Sequence, residues 1–157
     1  MSLSDCADVA QIATPVVAVL SFVFAFVRYF QARSREHRWK KTEFIFDQAK
    51  LIDQDREMNY AIAVLSDARE DCAVNDLFEM DGEFQKAADS KYKLGFEKLL
   101  NLLDRLAYAH LHAKVLEEEE MKNFLWYYAQ VLEFPRIVKH CERNGFKDVV
   151  EMGKRLK

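Results

Sequence analysis

The chain has 157 residues, half of them hydrophobic, with only four glycines and two prolines. That length holds one compact domain, and the shortage of turn formers excludes a strand-and-turn architecture in favour of an all-α one. The net charge of −3 is unevenly laid out: −2 before the first apolar run, +5 from Arg28 to Lys41 and −6 from Thr42 onward. An acidic C-terminal part repels phosphates, so direct nucleic-acid binding is not expected of it.

Residues 1–8 form a short acidic N-terminus. Val9 to Val27 then runs for 19 residues without a charge. At about 1.5 Å of rise per residue such a helix is roughly 28 Å long, close to the hydrocarbon thickness of a bilayer. A cleaved signal peptide would carry cations before the run and small residues after it. Here Asp5 and Asp8 precede it and Arg28-Tyr29-Phe30 follows. The run therefore reads as an uncleaved transmembrane helix. Cations C-terminal to it place the N-terminus outside and the rest of the chain in the cytoplasm. Tyr29, Phe30 and Trp39 suit the headgroup region.

Within the run, Gln11, Thr14, Ala18, Ser21, Ala25 and Arg28 are spaced three and four apart and share one helix face. Small residues let helices approach closely in lipid, and Gln, Thr and Ser supply interhelical hydrogen bonds. This face is expected to mediate self-association, and in a ring of copies it could line a narrow pore. Arg33, Arg35, Arg38, Lys40 and Lys41 form a basic juxtamembrane helix, residues 28–52, with affinity for anionic headgroups at about 1 kcal/mol per cation. The plain alternative is a linker that only sets topology.

The cytosolic helical bundle is expected over residues 53–157. Asp53 or Asp55 caps a second helix over Arg56 to Asp67. Asp81-Gly82 signals a turn, with Val74, Leu77, Phe78 and Phe84 in a short packed segment around it. Ser90 is expected to cap a strong helix from Lys91 to about Lys114, with Leu99, Leu103, Leu106 and His110 on one stripe. Glu117 to Glu120 open the next helix and complement its dipole. Met121, Phe124, Leu125, Tyr128, Val131 and Leu132 face inward there. Pro135 bends or interrupts this helix, Asn144-Gly145 ends it, and a last helix covers Phe146 to Leu156.

No phosphate loop, zinc-protease motif or nucleophile elbow is present. His110 and His112 are two apart and diverge by about 200° on a helix, so they do not share a metal. Cys6, Cys72 and Cys141 form no Cys-x-x-Cys pair. Cys72 and Cys141 read as free thiols, and Cys6 lies on the outer side. No cofactor and no metal are expected. The constellation with catalytic content is Arg105-Leu106-Ala107-Tyr108-Ala109-His110. It resembles the Arg-x4-His signature of the HEPN superfamily, helical bundles that include metal-independent ribonucleases. The resemblance implies His110 as general acid or base on a ribose hydroxyl and Arg105 as the phosphate holder. Leu106 departs from the polar residue usual after the arginine, and His110 on an apolar stripe equally suits a packing role.

The order of parts resembles a family of small bacterial single-span membrane proteins with a helical cytosolic domain. Phe96 to Asp104, with Trp126, Tyr127 and Tyr128 on the following helix, is similar to that family's C-terminal half. With Arg105 and His110, the layout is also similar to the membrane accessory proteins of type VI-B CRISPR systems. The resemblance implies the bacterial inner membrane, a homo-oligomer that could form a pore in phage defence, and a cytosolic RNA-guided effector as partner. The alternatives are a membrane-tethered HEPN-type ribonuclease and a structural anchor that docks a cytosolic protein.

Overall fold

The structure, a computed structural model, describes residues 3–66 and 73–156, with side chains from Ser21 onward. Helix α1 is a single helix, Leu3–Gln54. It is followed by α2 (Arg56–Leu65), α3 (Val74–Leu77), α4 (Ser90–Leu111) and α5 (Glu118–Met121). A 3₁₀ turn, Lys122–Phe124, leads into α6 (Leu125–Glu133), α7 (Pro135–Asn144) and α8 (Lys147–Arg155). Among the described residues the only β pairing is an antiparallel bridge between Phe78 and Phe84. The protein is all-α, as composition implied.

The chain divides into two units, Met1–Glu43 and Phe44–Lys157. The compact helical unit thus includes the end of α1, which the sequence reading assigned to the juxtamembrane helix up to residue 52. The reason lies in one helix face. Ile45 and Ile52 are buried, with Gln48 and Ala49 half-buried between them, at spacings of three and four.

Within this unit α4 is the central helix. Its Phe96, Leu99, Leu100, Leu103, Leu106 and Ala107 are fully buried. Burying each of the larger ones contributes about 1.5–3 kcal/mol. Helix α2 packs on α4 at Gly95, where a Cβ would run into the backbone of Glu57, 2.9 Å from its carbonyl carbon. Helix α8 packs on α4 and α6. Tyr128, fully buried, donates a hydrogen bond to the Leu103 carbonyl at 2.7 Å and ties α6 to α4. Burial pushes its phenol pKa far above the ordinary value.

The helix ends follow local chemistry. Asp55, not Asp53, caps α2, accepting from the N–H groups of Glu57 and Met58. Asp89, not Ser90, caps α4, because its carboxylate accepts from Lys91 N–H at 3.0 Å. Helix α4 stops at Leu111, three residues before the expected end, and Lys114 adopts a positive φ of 54° in the turn that follows. The helix expected from the Glu run is broken earlier than foreseen. Its acidic start is the one-turn α5, where Glu120 accepts from Glu117 N–H at 2.7 Å, and the 3₁₀ turn separates it from α6. Pro135 begins α7 as its first residue, with Phe134 extended before it. Gly145, at φ 88°, is the left-handed C-cap expected from Asn144-Gly145.

Among the described residues, no helix is long and apolar enough to cross a membrane. Of the expected span Val9 to Val27, the side chains of residues 9–20 lie outside the described ones, and residues 21–27 are too few to cross.

Candidate functional site

The first candidate is the surface of α1 from Ser21 to Lys41. Gln11, Thr14 and Ala18 of the expected association face lie outside the described side chains. Ser21, Ala25 and Arg28 fall on one face, all exposed. Beside them runs an aromatic ladder at four-residue spacing. Phe22 and Phe26 are 6.2 Å apart between ring centres, and Phe26 and Phe30 are 4.6 Å apart. Phe24, Val23, Val27 and Tyr29 are exposed as well, Phe22 and Phe24 to 71% and 64%. At about 100° per residue these apolar side chains surround the helix and do not form a stripe.

The cations that follow are also arranged all round. Arg33, Arg35, Arg38 and Lys40 are exposed, and Lys41 is half-buried. Arg33 donates to the Tyr29 hydroxyl at 3.1 Å, and Lys40 pairs with Glu36 at 2.7 Å. Arg28 lies over the Phe24 ring, 5.5 Å from its centre. An apolar collar therefore gives way to a basic collar along one helix axis.

The second candidate is Arg105 with His110. Both lie on α4, five residues apart, which turns them about 140° from each other. Arg105 is exposed beside a shallow groove with Gln48, Leu51, Asp55, Leu94 and Lys98. His110 is half-buried, and its Nδ1 lies 3.0 Å from the Leu116 carbonyl. A carbonyl only accepts, so Nδ1 is the donor in this bond. The helix thus does not bring the two side chains of one chain together.

The groove beside Arg105 has its own charge pattern. Lys98 bonds Asp55 at 2.8 Å and Glu57 at 3.2 Å. Its hydrogen bond holds the Asp55 carboxyl below the ordinary value, and the two carboxylates raise the Lys98 amine.

A third cluster was not read from the sequence. Along α7, Arg136, Lys139, His140 and Arg143 grip the segment 75–83. Arg136 donates to the carbonyls of Asn75 and Phe78 at 2.9 and 2.7 Å. Lys139 donates to the Met80 carbonyl at 2.8 Å. Arg143 pairs with Asp81 at 3.1 Å and with Glu83. His140, only 4% exposed, donates from Nδ1 to the Gly82 carbonyl at 2.8 Å. Gly82 is required there: its φ is 88°, and a Cβ would meet the backbone of Lys139 and His140. The signal was present as four polar residues at i, i+3, i+4 and i+7. It reads as an exposed basic stripe until the turn at Asp81-Gly82 is placed against it.

His140 Nε2 is buried with no partner among the described residues, and the imidazole meets the stacked rings of Phe78 and Phe84 edge-on. Burial lowers its pKa from the ordinary 6.5, followed by the Arg143 charge; the Gly82 bond and Glu97 act in the opposite direction. The folded state therefore binds fewer protons than the unfolded one. The contribution is complete above pH 6.5 and is lost as pH falls below it. Melting temperature is expected to drop between about pH 7.5 and about pH 5.5, and the drop should be shallower in His140→Gln. Asp104 acts in the opposite sense, since burial and Asp148 raise its carboxyl above the ordinary 3.8. The comparison with His140→Gln isolates the imidazole; equal slopes would remove its role.

Cys141 is buried and free, with its thiol pushed up to about 12 by burial. It is packing, not a nucleophile. Cys6 and Cys72 lie outside the described side chains. The chain matches no known protein family, no curated protein and no solved structure.

Proposed function

We propose that this chain is a single-span membrane protein of the bacterial inner membrane, with its N-terminus outside and the helical unit from Phe44 on the cytoplasmic side. The observation that carries the reading is the order of the two collars on α1. A helix lying flat on a membrane needs a polar face opposite its apolar face. Here residues 22–30 are apolar around most of the circumference and residues 33–41 are basic around it. That arrangement suits a helix whose axis passes from hydrocarbon through headgroups to water. Upstream, residues 9–21 carry no charge and supply the remaining length.

Self-association through Gln11, Thr14, Ala18, Ser21, Ala25 and Arg28 is part of this proposal. A role in CRISPR-linked phage defence, as a pore or membrane effector, follows from the resemblance of layout. Crosslinking in native membranes is expected to yield discrete oligomers. Gln11→Leu with Thr14→Val should weaken them about tenfold, since each interhelical hydrogen bond in lipid contributes about 0.6–2 kcal/mol. Monomer alone at every protein concentration would remove the association.

The ribonuclease alternative is favoured by one observation: the Leu116 bond occupies His110 Nδ1 and orients the ring, leaving Nε2 as the nitrogen that could meet a substrate. Since Arg105 lies on another face, that mechanism needs its phosphate holder from a second copy. Arg105→Ala and His110→Ala should then complement each other when mixed.

A further inference from the structure

Helix α8 begins beside the end of α4, and this brings a histidine of one helix to two carboxylates of the other, 36 or more positions away in the chain. His112, the C-cap of α4, has Nε2 2.8 Å from Asp148 Oδ1. Glu151, one turn further along α8, presents a third donor. One donor atom from each of the three lies within 4.8 Å of the other two. Among the described residues this is the one group of three metal-type donors.

The surroundings hold the cluster in place. The Asp104 carboxylate of α4 stands beside the first turn of α8, close enough to Asp148 for the two charges to repel. Its Oδ1 is shielded from solvent and has no partner among the described residues. A third carboxylate thus stands next to Asp148 without a cation to offset it. The Tyr108 ring lies 5.3 Å from that of His112 and limits its swing. Asp148 is only 19% exposed, while His112 is 47% exposed and open to an arriving ion.

We propose that His112, Asp148 and Glu151 form a binding site for a divalent zinc-like ion. One imidazole nitrogen with two carboxylates is a borderline-hard donor set. It suits zinc better than calcium or magnesium, which take oxygen ligands. Around a tetrahedral zinc with bonds of about 2.0–2.2 Å, donor atoms lie roughly 3.3 Å apart. His112 and Asp148 are already near that separation. Glu151 must close by about 1.5 Å, a rotamer change of one exposed side chain. It gives up only its surface pair with Arg155, 2.6 Å long, and such pairs contribute little. Three protein ligands leave the fourth position to water, the pattern of open zinc sites.

The test uses the full chain in detergent, stripped with EDTA. Zinc is titrated by calorimetry, and cobalt is added as a spectroscopic probe. One ion per chain is expected, with cobalt absorption in the visible range. His112→Ala and Glu151→Gln, both at exposed positions, should each weaken binding at least tenfold and abolish the cobalt bands. His37→Ala, in the other unit, should change nothing. Circular dichroism of the variants separates loss of the site from loss of fold. Absence of binding in the wild type, or binding left within twofold by His112→Ala, would overturn the site.

Discussion

Replacing Val19 and Phe22 by arginine is expected to release the chain from membranes into the supernatant after carbonate extraction and ultracentrifugation. The eleven Val, Leu, Ile and Phe residues of the run from Val9 to Val27 together favour insertion by about 3–7 kcal/mol. Each arginine near the middle of a span costs about 2.5–3.5 kcal/mol. Two of them cancel the drive, and the substitutions also delete two favourable residues. The wild type should pellet and resist carbonate. Arg35→Glu with Arg38→Glu should leave it in the pellet, since those side chains belong to the basic collar. A wild type that stays soluble without detergent, or a double arginine variant that still resists carbonate, would sink the membrane assignment.

Gly95→Ala is expected to be the most damaging single-methyl change in the helical unit. Substituting alanine for glycine inside a helix ordinarily stabilises it by about 1 kcal/mol. Here the added Cβ would enter the backbone of Glu57 on α2, with Ala61 Cβ 3.5 Å away. Backbone has no rotamer by which to yield, so the crossing of α2 over α4 must open. That crossing is the most extensive helix contact among the described residues. Overpacking costs about 1–3 kcal/mol where side chains can adjust, so a loss of about 3 kcal/mol is expected. In a chain of this size that lowers the melting temperature by roughly 6–12 °C. The control is Gly145→Ala, where nothing lies within 4 Å and only the left-handed φ is strained. It should cost about 1 kcal/mol. Equal losses in the two variants, read by circular dichroism, would refute the tight crossing.

Much of the helical layout was legible because its signals are local. Apolar spacing along α4 and α6, the caps near Asp55 and Asn144-Gly145, and the turn at Asp81-Gly82 all depend on residues within a few positions of each other. The errors are local too. Ser90 and Asp89 both suit a cap, and the carboxylate wins. The break at Lys122–Phe124 carries no proline or glycine to announce it. The helical unit begins at Phe44, before the end of α1, because Ile45 and Ile52 are buried on a helix that is otherwise exposed from residue 21 to residue 40.

By itself the chain's order of residues determined the all-α class, the existence of most helices and the sharp change from an uncharged run to a basic one. These are one-dimensional properties, set by periodicity and by the solvation of each side chain. Only the tertiary structure decided which distant groups meet. It placed His140 against the Gly82 carbonyl, Arg136 against those of Asn75 and Phe78, and brought His112 to Asp148 across 36 positions. Helix crossings set those meetings, through close approaches at Gly95 and Gly153 that a linear pattern does not encode.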